Sequence, residues 1–93
     1  MTEIPLPQGR PHIRFTADLG GVRLRLRLDW LTRWGYFNVE LYRDESLLIG
    51  GVGLHPGVDL LDGLDLGVGQ LYLDGAAPTP ANLGEANTLV HEP

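Results

Sequence analysis

Residues 13–30 alternate between apolar and polar side chains almost without a break, and this period of two is the feature that most constrains the fold. The alternation covers residues 13–19, stops at Gly20-Gly21, and resumes over residues 22–30. Successive side chains of a strand point to opposite faces of a sheet, so the pattern predicts two half-buried strands. A Gly-Gly step tolerates the positive φ of a two-residue hairpin turn, and we therefore expect an antiparallel hairpin.

The turn also predicts the register of this hairpin. It places Leu19 opposite Val22, and every inward pair from there to Ile13 and Leu28 then joins two apolar side chains. On the outer face, Asp18 lies opposite Arg23. A four-residue loop over residues 32–35 then leads to a third strand, residues 36–42. The following outer-face pairs are expected across the second and third strands: Arg27 with Glu40 and Arg25 with Tyr42.

A fourth strand is predicted over residues 47–54, where three glycines interrupt the apolar residues. Glycine inside a strand often marks a bulge or a close approach by another backbone. Pairing Leu41 with Leu48 would turn Leu47 and Ile49 outward. An uncovered apolar edge invites unwanted strand pairing, so we expect this edge to be covered in an assembly.

The rest of the chain supports weaker predictions. A fifth strand is expected within residues 66–74 and a short final strand over residues 88–91, with no amphipathic helix. The predicted fold is therefore all-β: a small antiparallel meander of about five to six strands, forming a twisted sheet or a partly closed β-barrel. Three prolines suggest that residues 1–12 are an extended N-terminal arm, ahead of a single β domain over residues 13–93.

Composition narrows the function classes. A chain of 93 residues buries a modest core, and without cysteine it has no disulfides, so partners are the remaining source of stability. The net charge of −5 argues against a dedicated nucleic-acid binder. No run approaches 18 apolar residues, so we expect no membrane span. Residues 1–10 lack the apolar stretch of a secretory signal, which favours synthesis in a cytoplasm.

The residues needed for catalysis or metal binding are sparse. Ser46 is the only serine, lysine and cysteine are absent, and the three histidines lack metal-ligand spacing. Asp59, Asp62 and Asp65 recur every three residues, but a calcium loop needs more ligands, so a solvated acidic loop is the favoured interpretation. We expect no enzyme activity, catalytic residue, cofactor or metal.

The outer face of the predicted sheet supplies the interface candidates. Three arginines in a row could simply be a solvated face balanced by Asp18, Glu40 and Tyr42, or could form a docking stripe for an acidic neighbour. An exposed tryptophan at a loop tip favours an interface. The full set of candidates is Arg23, Arg25, Arg27, Trp34, Tyr36, Tyr42, Leu47 and Ile49.

The order of these elements resembles the baseplate plug proteins of contractile-tail phages, a family known from a cyanophage baseplate. The resemblance covers residues 13–91 and is carried by Arg14-Phe15-Thr16, Leu19-Gly20-Gly21, residues 22–30, Arg33, residues 36–41, Gly57-Val58-Asp59-Leu60-Leu61, Leu71-Tyr72-Leu73 and Leu83-Gly84. The chain departs from the family pattern in its turns: Leu31-Thr32 replaces an expected Asn, and Asp44-Glu45-Ser46 lacks a Gly. It also has Tyr36-Phe37 where the family has Trp.

The resemblance implies a structural, non-enzymatic role at the junction of tail tube, hub and spike. It implies contacts with those baseplate proteins, self-association within the assembly, and a place in the virion tail. The alternative is a stand-alone small β-barrel binding module whose arginine row takes an acidic protein or nucleic acid.

Overall fold

The computed structural model describes residues 2–93, which form seven β-strands joined by turns and loops. The strands are β1 (Thr2–Ile4), β2 (His12–Leu19), β3 (Val22–Leu31), β4 (Tyr36–Arg43), β5 (Ser46–Gly53), β6 (Gln70–Gly75) and β7 (Asn87–Glu92). They make two antiparallel sheets, one ordered β2-β3-β4-β5 and the other β1-β7-β6. The all-β prediction is confirmed, and over residues 2–93 neither sheet closes into a barrel.

The four-stranded sheet is the predicted meander, and the predicted registers of its first three strands are confirmed. Leu19 pairs with Val22 and Ile13 with Leu28 across β2 and β3. Residues 31–36 close the next hairpin, where the amides of Trp34 and Gly35 both donate to the carbonyl of Leu31. Short turns of fixed length leave one register in which both strands bury their apolar side chains.

The predicted pairing of β4 with β5 is wrong. Leu41 pairs with Ile49 rather than with Leu48, and Val39 pairs with Val52. The register shifts on both sides of Leu41, so β5 carries more residues than β4 over the same length. Such bulges break the period of two, and Ile49 consequently turns toward the core, where it is half-buried.

The second sheet brings the two ends of the chain together. Thr2 pairs with His91 and Ile4 with Leu89, so β1 lies against β7, which also pairs with β6. The segment expected as an arm is thus extended at residues 2–4 and adds a strand to the domain, with Ile4 buried. Met1 lies outside the described residues. Three residues are too few to show a hydrophobic period, which is why no strand was predicted there.

Both sheets pack around one hydrophobic core. Phe37, Leu26 and Leu41 are fully buried on one side, and Leu71 and Leu73 on the other. The long connection between β5 and β6 covers the core with apolar side chains: Leu54, Leu60, Leu61 and Val68. Because both inner faces meet in the same core, the outer faces of the two sheets point to opposite sides of the molecule.

Asp59, one of the three regularly spaced aspartates, organises this connection. Its Oδ1 accepts hydrogen bonds from the backbone amides of Leu61 and Leu71, at 2.9 and 3.0 Å. The half-buried carboxylate therefore ties the connection to the start of β6. In the part of the chain that the structure describes, there is no helix suited to crossing a membrane.

Candidate protein-binding surface

The outer face of the four-stranded sheet, called the arginine face below, carries a row of guanidinium groups. Its charged residues and tyrosines are Arg14, Asp18, Arg23, Arg25, Arg27, Asp29, Tyr36, Glu40 and Tyr42. The strict alternation of β2, β3 and β4 sends each of these side chains away from the core. The predicted face therefore exists, and its internal contacts decide which groups are free to bind a partner.

Arg27 is neutralised by its neighbours on the sheet. Its Nε lies 2.8 Å from Oδ2 of Asp29, and a terminal nitrogen lies 3.7 Å from Oε1 of Glu40. Asp29 also accepts from the imidazole Nδ1 of His12 at 2.8 Å. Exposed pairs of this kind contribute only about 0–1 kcal/mol each, so their main effect is to hold Arg27 in place.

Arg25 is held differently, by the ring of Tyr42. The guanidinium carbon lies 4.7 Å from the ring centroid, a cation–π contact across the predicted cross-strand pair. The Tyr42 hydroxyl in turn donates to Oε1 of Glu40 at 3.3 Å. Stacking fixes the plane of the guanidinium while leaving its N–H groups available, because a ring face takes none of them.

Arg14, Arg25, Arg27 and Tyr42 line a shallow cleft of about 140 Å³. Arg14 stands directly opposite Arg27 in the register of β2 and β3, and like charges at opposite positions destabilise a sheet. Within residues 2–93, no carboxylate lies within 4.0 Å of the guanidinium of Arg14, Arg23 or Arg25. The cleft therefore offers unneutralised guanidinium donors to an anionic group.

Asp18 stands opposite Arg23, as predicted, but forms no ion pair with it. Its Oδ1 accepts instead from the backbone amide of Gly21 at 3.2 Å, within the β2–β3 turn. Arg23 is exposed and so adds to the uncompensated positive charge of this face.

Trp34 lies beyond the end of β3, whereas the cleft lies near the middle of that strand. Its side chain is 66% exposed at the tip of the β3–β4 loop, with the guanidinium carbon of Arg33 5.3 Å from the ring centroid. From Arg27, the nearer cleft residue of β3, to the end of the strand at Leu31 is about 13 Å. Tyr36 is half-buried and packs against the ring of His55, with centroids 5.7 Å apart.

The two apolar candidates of β5 have different environments. Leu47 is 54% exposed and pairs with Tyr42 on the outer side, so it extends the edge of the arginine face. Ile49 packs against the core because of the bulges, and it is not available as an outward contact. Of the eight sequence candidates, Arg25, Arg27 and Tyr42 meet at the cleft.

Sequence reasoning missed Arg14, although the predicted register already placed it opposite Arg27. It also missed the outer face of the three-stranded sheet, called the acidic face below: Glu3, Gln70, Tyr72, Asp74, Thr88, Glu92 and the buried Val90. The pKa of Tyr72 is raised above its ordinary value of 10.0. The causes are partial burial of the phenol, a hydrogen bond with Glu92, and the negative charges of Glu92 and Asp74. The signal for this face was the complete absence of Lys and Arg after residue 43.

No cluster of three or more potential metal ligands occurs among residues 2–93. The buried histidine, His91, uses its Nε2 to donate to the carbonyl of Val68 at 2.6 Å. This contact joins β7 to the connection that precedes β6, so it has a structural explanation.

In a comparison with known protein families, the family model described as cyanophage baseplate Pam3 plug gp18 matches residues 1–93, the whole chain. No curated protein matches the chain.

Proposed function

The chain belongs to the cyanophage baseplate plug family, and on that premise we propose that it closes or organises the junction of tube, hub and spike in a phage tail. Membership of the family indicates a structural role in the baseplate of a virion tail. The match over the full length of the chain is the observation that carries the proposal. The protein is made in the host cytoplasm and acts through protein–protein contacts rather than by catalysis.

The structure supplies surfaces that suit such contacts. The cleft on the arginine face presents guanidinium groups that can pair with carboxylates in two-point geometry. Trp34 presents a large ring to solvent, and buried tryptophans are among the strongest anchors of protein interfaces. The cleft lies near the middle of the sheet and Trp34 on the loop beyond its edge, so the protein can contact two partners at once: copies of itself and the surrounding tail proteins.

Trp34 is the proposed anchor for a hub, spike or tube protein. Because its side chain is exposed in the isolated chain, its removal should leave folding intact. In the assembled baseplate, truncation of a buried anchor of this type costs about 2–4 kcal/mol of binding energy. That cost corresponds to a loss of about 30-fold or more in affinity.

The experiment is a cryo-EM reconstruction of purified tails, together with plug-deficient particles supplied with wild-type or Trp34→Ala protein. We expect density for the wild-type chain on the tail axis, and markedly lower incorporation of the variant. Arg33→Ala, which removes the stacked neighbour but keeps the ring, is the matched control and should incorporate nearly as well. Absence of the wild-type chain from purified tails would refute the proposed function.

The same preparation separates this role from that of a stand-alone binding module. Single-stranded DNA binding that weakens steeply with salt, by a protein missing from tails, would support the module instead.

A further inference from the structure

We infer that the arginine face of one copy docks on the acidic face of a second copy, so that the chain associates head to tail. The inference rests on the proposed function, in which copies assemble with one another, and it names the two surfaces that meet. Its occupant is a second copy of this chain, and the recognised chemistry is carboxylate against guanidinium.

Charge is divided between the two halves of the chain. Residues 1–43 hold seven arginines and four carboxylates, a net charge of +3, whereas residues 44–93 hold eight carboxylates and no Lys or Arg, a net charge of −8. The four-stranded sheet takes most of the first half, and the β6 and β7 strands belong to the second. The fold places two of these eight carboxylates, Asp74 and Glu92, on the sheet opposite the arginine face, and the other six lie in turns and connections.

The uncompensated groups lie on opposite outer faces. On the arginine face, Arg14, Arg23 and Arg25 have no carboxylate within 4.0 Å in the described part of the chain. The carboxylates of the acidic face are also uncompensated. No cation of residues 2–93 lies within 4.0 Å of the carboxylates of Asp74 and Glu92. One molecule cannot bring its two faces together, because its core lies between them.

A second copy can satisfy both sets of charges. The cleft beside Arg14 and Arg25 suits a carboxylate, and Tyr42 of one copy and Tyr72 of the next add amphipathic rings at the contact. The molecule measures 32 by 26 by 20 Å, which is large enough for the roughly 800 Å² of surface that one partner contributes to a standard interface. A contact between unlike faces is heterologous, and it generates a ring when the rotation closes.

The test is sedimentation of the full chain at low and high salt, using two reversed variants. Arg14→Glu/Arg25→Glu reverses the arginine face, and Glu3→Arg/Asp74→Arg reverses the acidic face. We expect the wild type to associate at about 0.05 M salt and to dissociate at about 0.5 M, where the Debye length is only a few ångströms. Each variant alone should raise the dissociation constant about tenfold or more.

Mixing the two variants is the decisive step. Each variant keeps the face that the other has lost, so an equimolar mixture should associate again. Arg10→Glu/Arg33→Glu, two exposed changes outside the strands, gives the same net charge as the reversed arginine face and should associate like the wild type. Circular dichroism checks that every variant is folded.

The inference is overturned if the wild type stays monomeric at about 1 mM and low salt. It is equally overturned if the mixed variants remain as dissociated as each one alone. Incorporation into tails is scored separately: a protein found in the baseplate but monomeric in these assays would retain the proposed function and refute this mode of association. A protein that is absent from tails but still associates head to tail would refute the proposed function and retain this mode of association.

Discussion

Replacing Gly69 with alanine should destabilise the fold far more than any surface change of one methyl group. Gly69 has φ +93°, a left-handed conformation, and lies just before β6. A Cβ at this position would overlap the carbonyl oxygen of Glu92 and lie 2.6 Å from Cα of Pro93. Both are backbone atoms, so the β6 and β7 strands would have to separate where Gln70 pairs with Glu92.

The magnitude follows from two contributions. An L-residue in the left-handed region costs about 1–2 kcal/mol, and this applies to any alanine placed there. Separating the strands adds the loss of one or two backbone hydrogen bonds with their partners left unsatisfied, about 1–3 kcal/mol. The sum of about 2–5 kcal/mol is a large fraction of the stability of a small domain. It corresponds to a fall in Tm of about 8–40 °C.

Gly67 provides the matched control. Its φ is +70°, but a Cβ there would meet no atom within 4 Å. Gly67→Ala is therefore destabilised only by the left-handed backbone conformation, about 1–2 kcal/mol. We expect its Tm to fall by about 5–15 °C. Thermal and urea unfolding, followed by circular dichroism, would measure both variants. Equal losses for Gly67→Ala and Gly69→Ala would refute the steric argument.

Two further changes test other parts of the fold. Asp59→Ala should lower the free energy of unfolding by about 1–3 kcal/mol, because the amides of Leu61 and Leu71 lose their acceptor. Asp62 is exposed, so Asp62→Ala should change the free energy of unfolding, measured by urea titration, by less than about 0.5 kcal/mol. Equal effects of the two changes would contradict the role given to Asp59. Tyr72 has a raised pKa, so the folded state keeps its phenolic proton after the unfolded chain has lost it, and stability should fall as the pH rises through 10.0 and above. Tyr72→Phe should reduce that fall in unfolding measured against pH, and an unchanged slope would show that Tyr72 is not its source.

The sequence was sufficient to predict β2, β3 and β4 with their pairing. A two-residue turn at Gly20-Gly21 and a four-residue loop before Tyr36 each leave one register that buries every apolar side chain. The same reasoning failed at Ile49, because bulges add residues that no local pattern announces. The edge strand β5 is therefore the point where periodicity stops predicting which face a side chain joins.

The candidate surface was predictable only in part. Arg25 and Tyr42 were placed together correctly because both sit in the regular part of the meander. The absence of Lys and Arg after residue 43 indicated an acidic region, but its place in the fold could not be predicted, because it depends partly on Glu3 pairing with Val90, a contact between distant parts of the sequence. Non-local pairing of this kind has no signature in any short window of residues.

The pairing of β1 with β7 also sets an order of events during folding. Thr2 and its partner His91 are separated by nearly the whole described sequence, whereas β2 to β5 each pair with the strand directly before or after in the sequence. The meander can therefore form from local contacts, while the other sheet must first close a long loop of chain. We therefore expect the arginine face to be complete before the acidic face, which needs β1, β6 and β7 together.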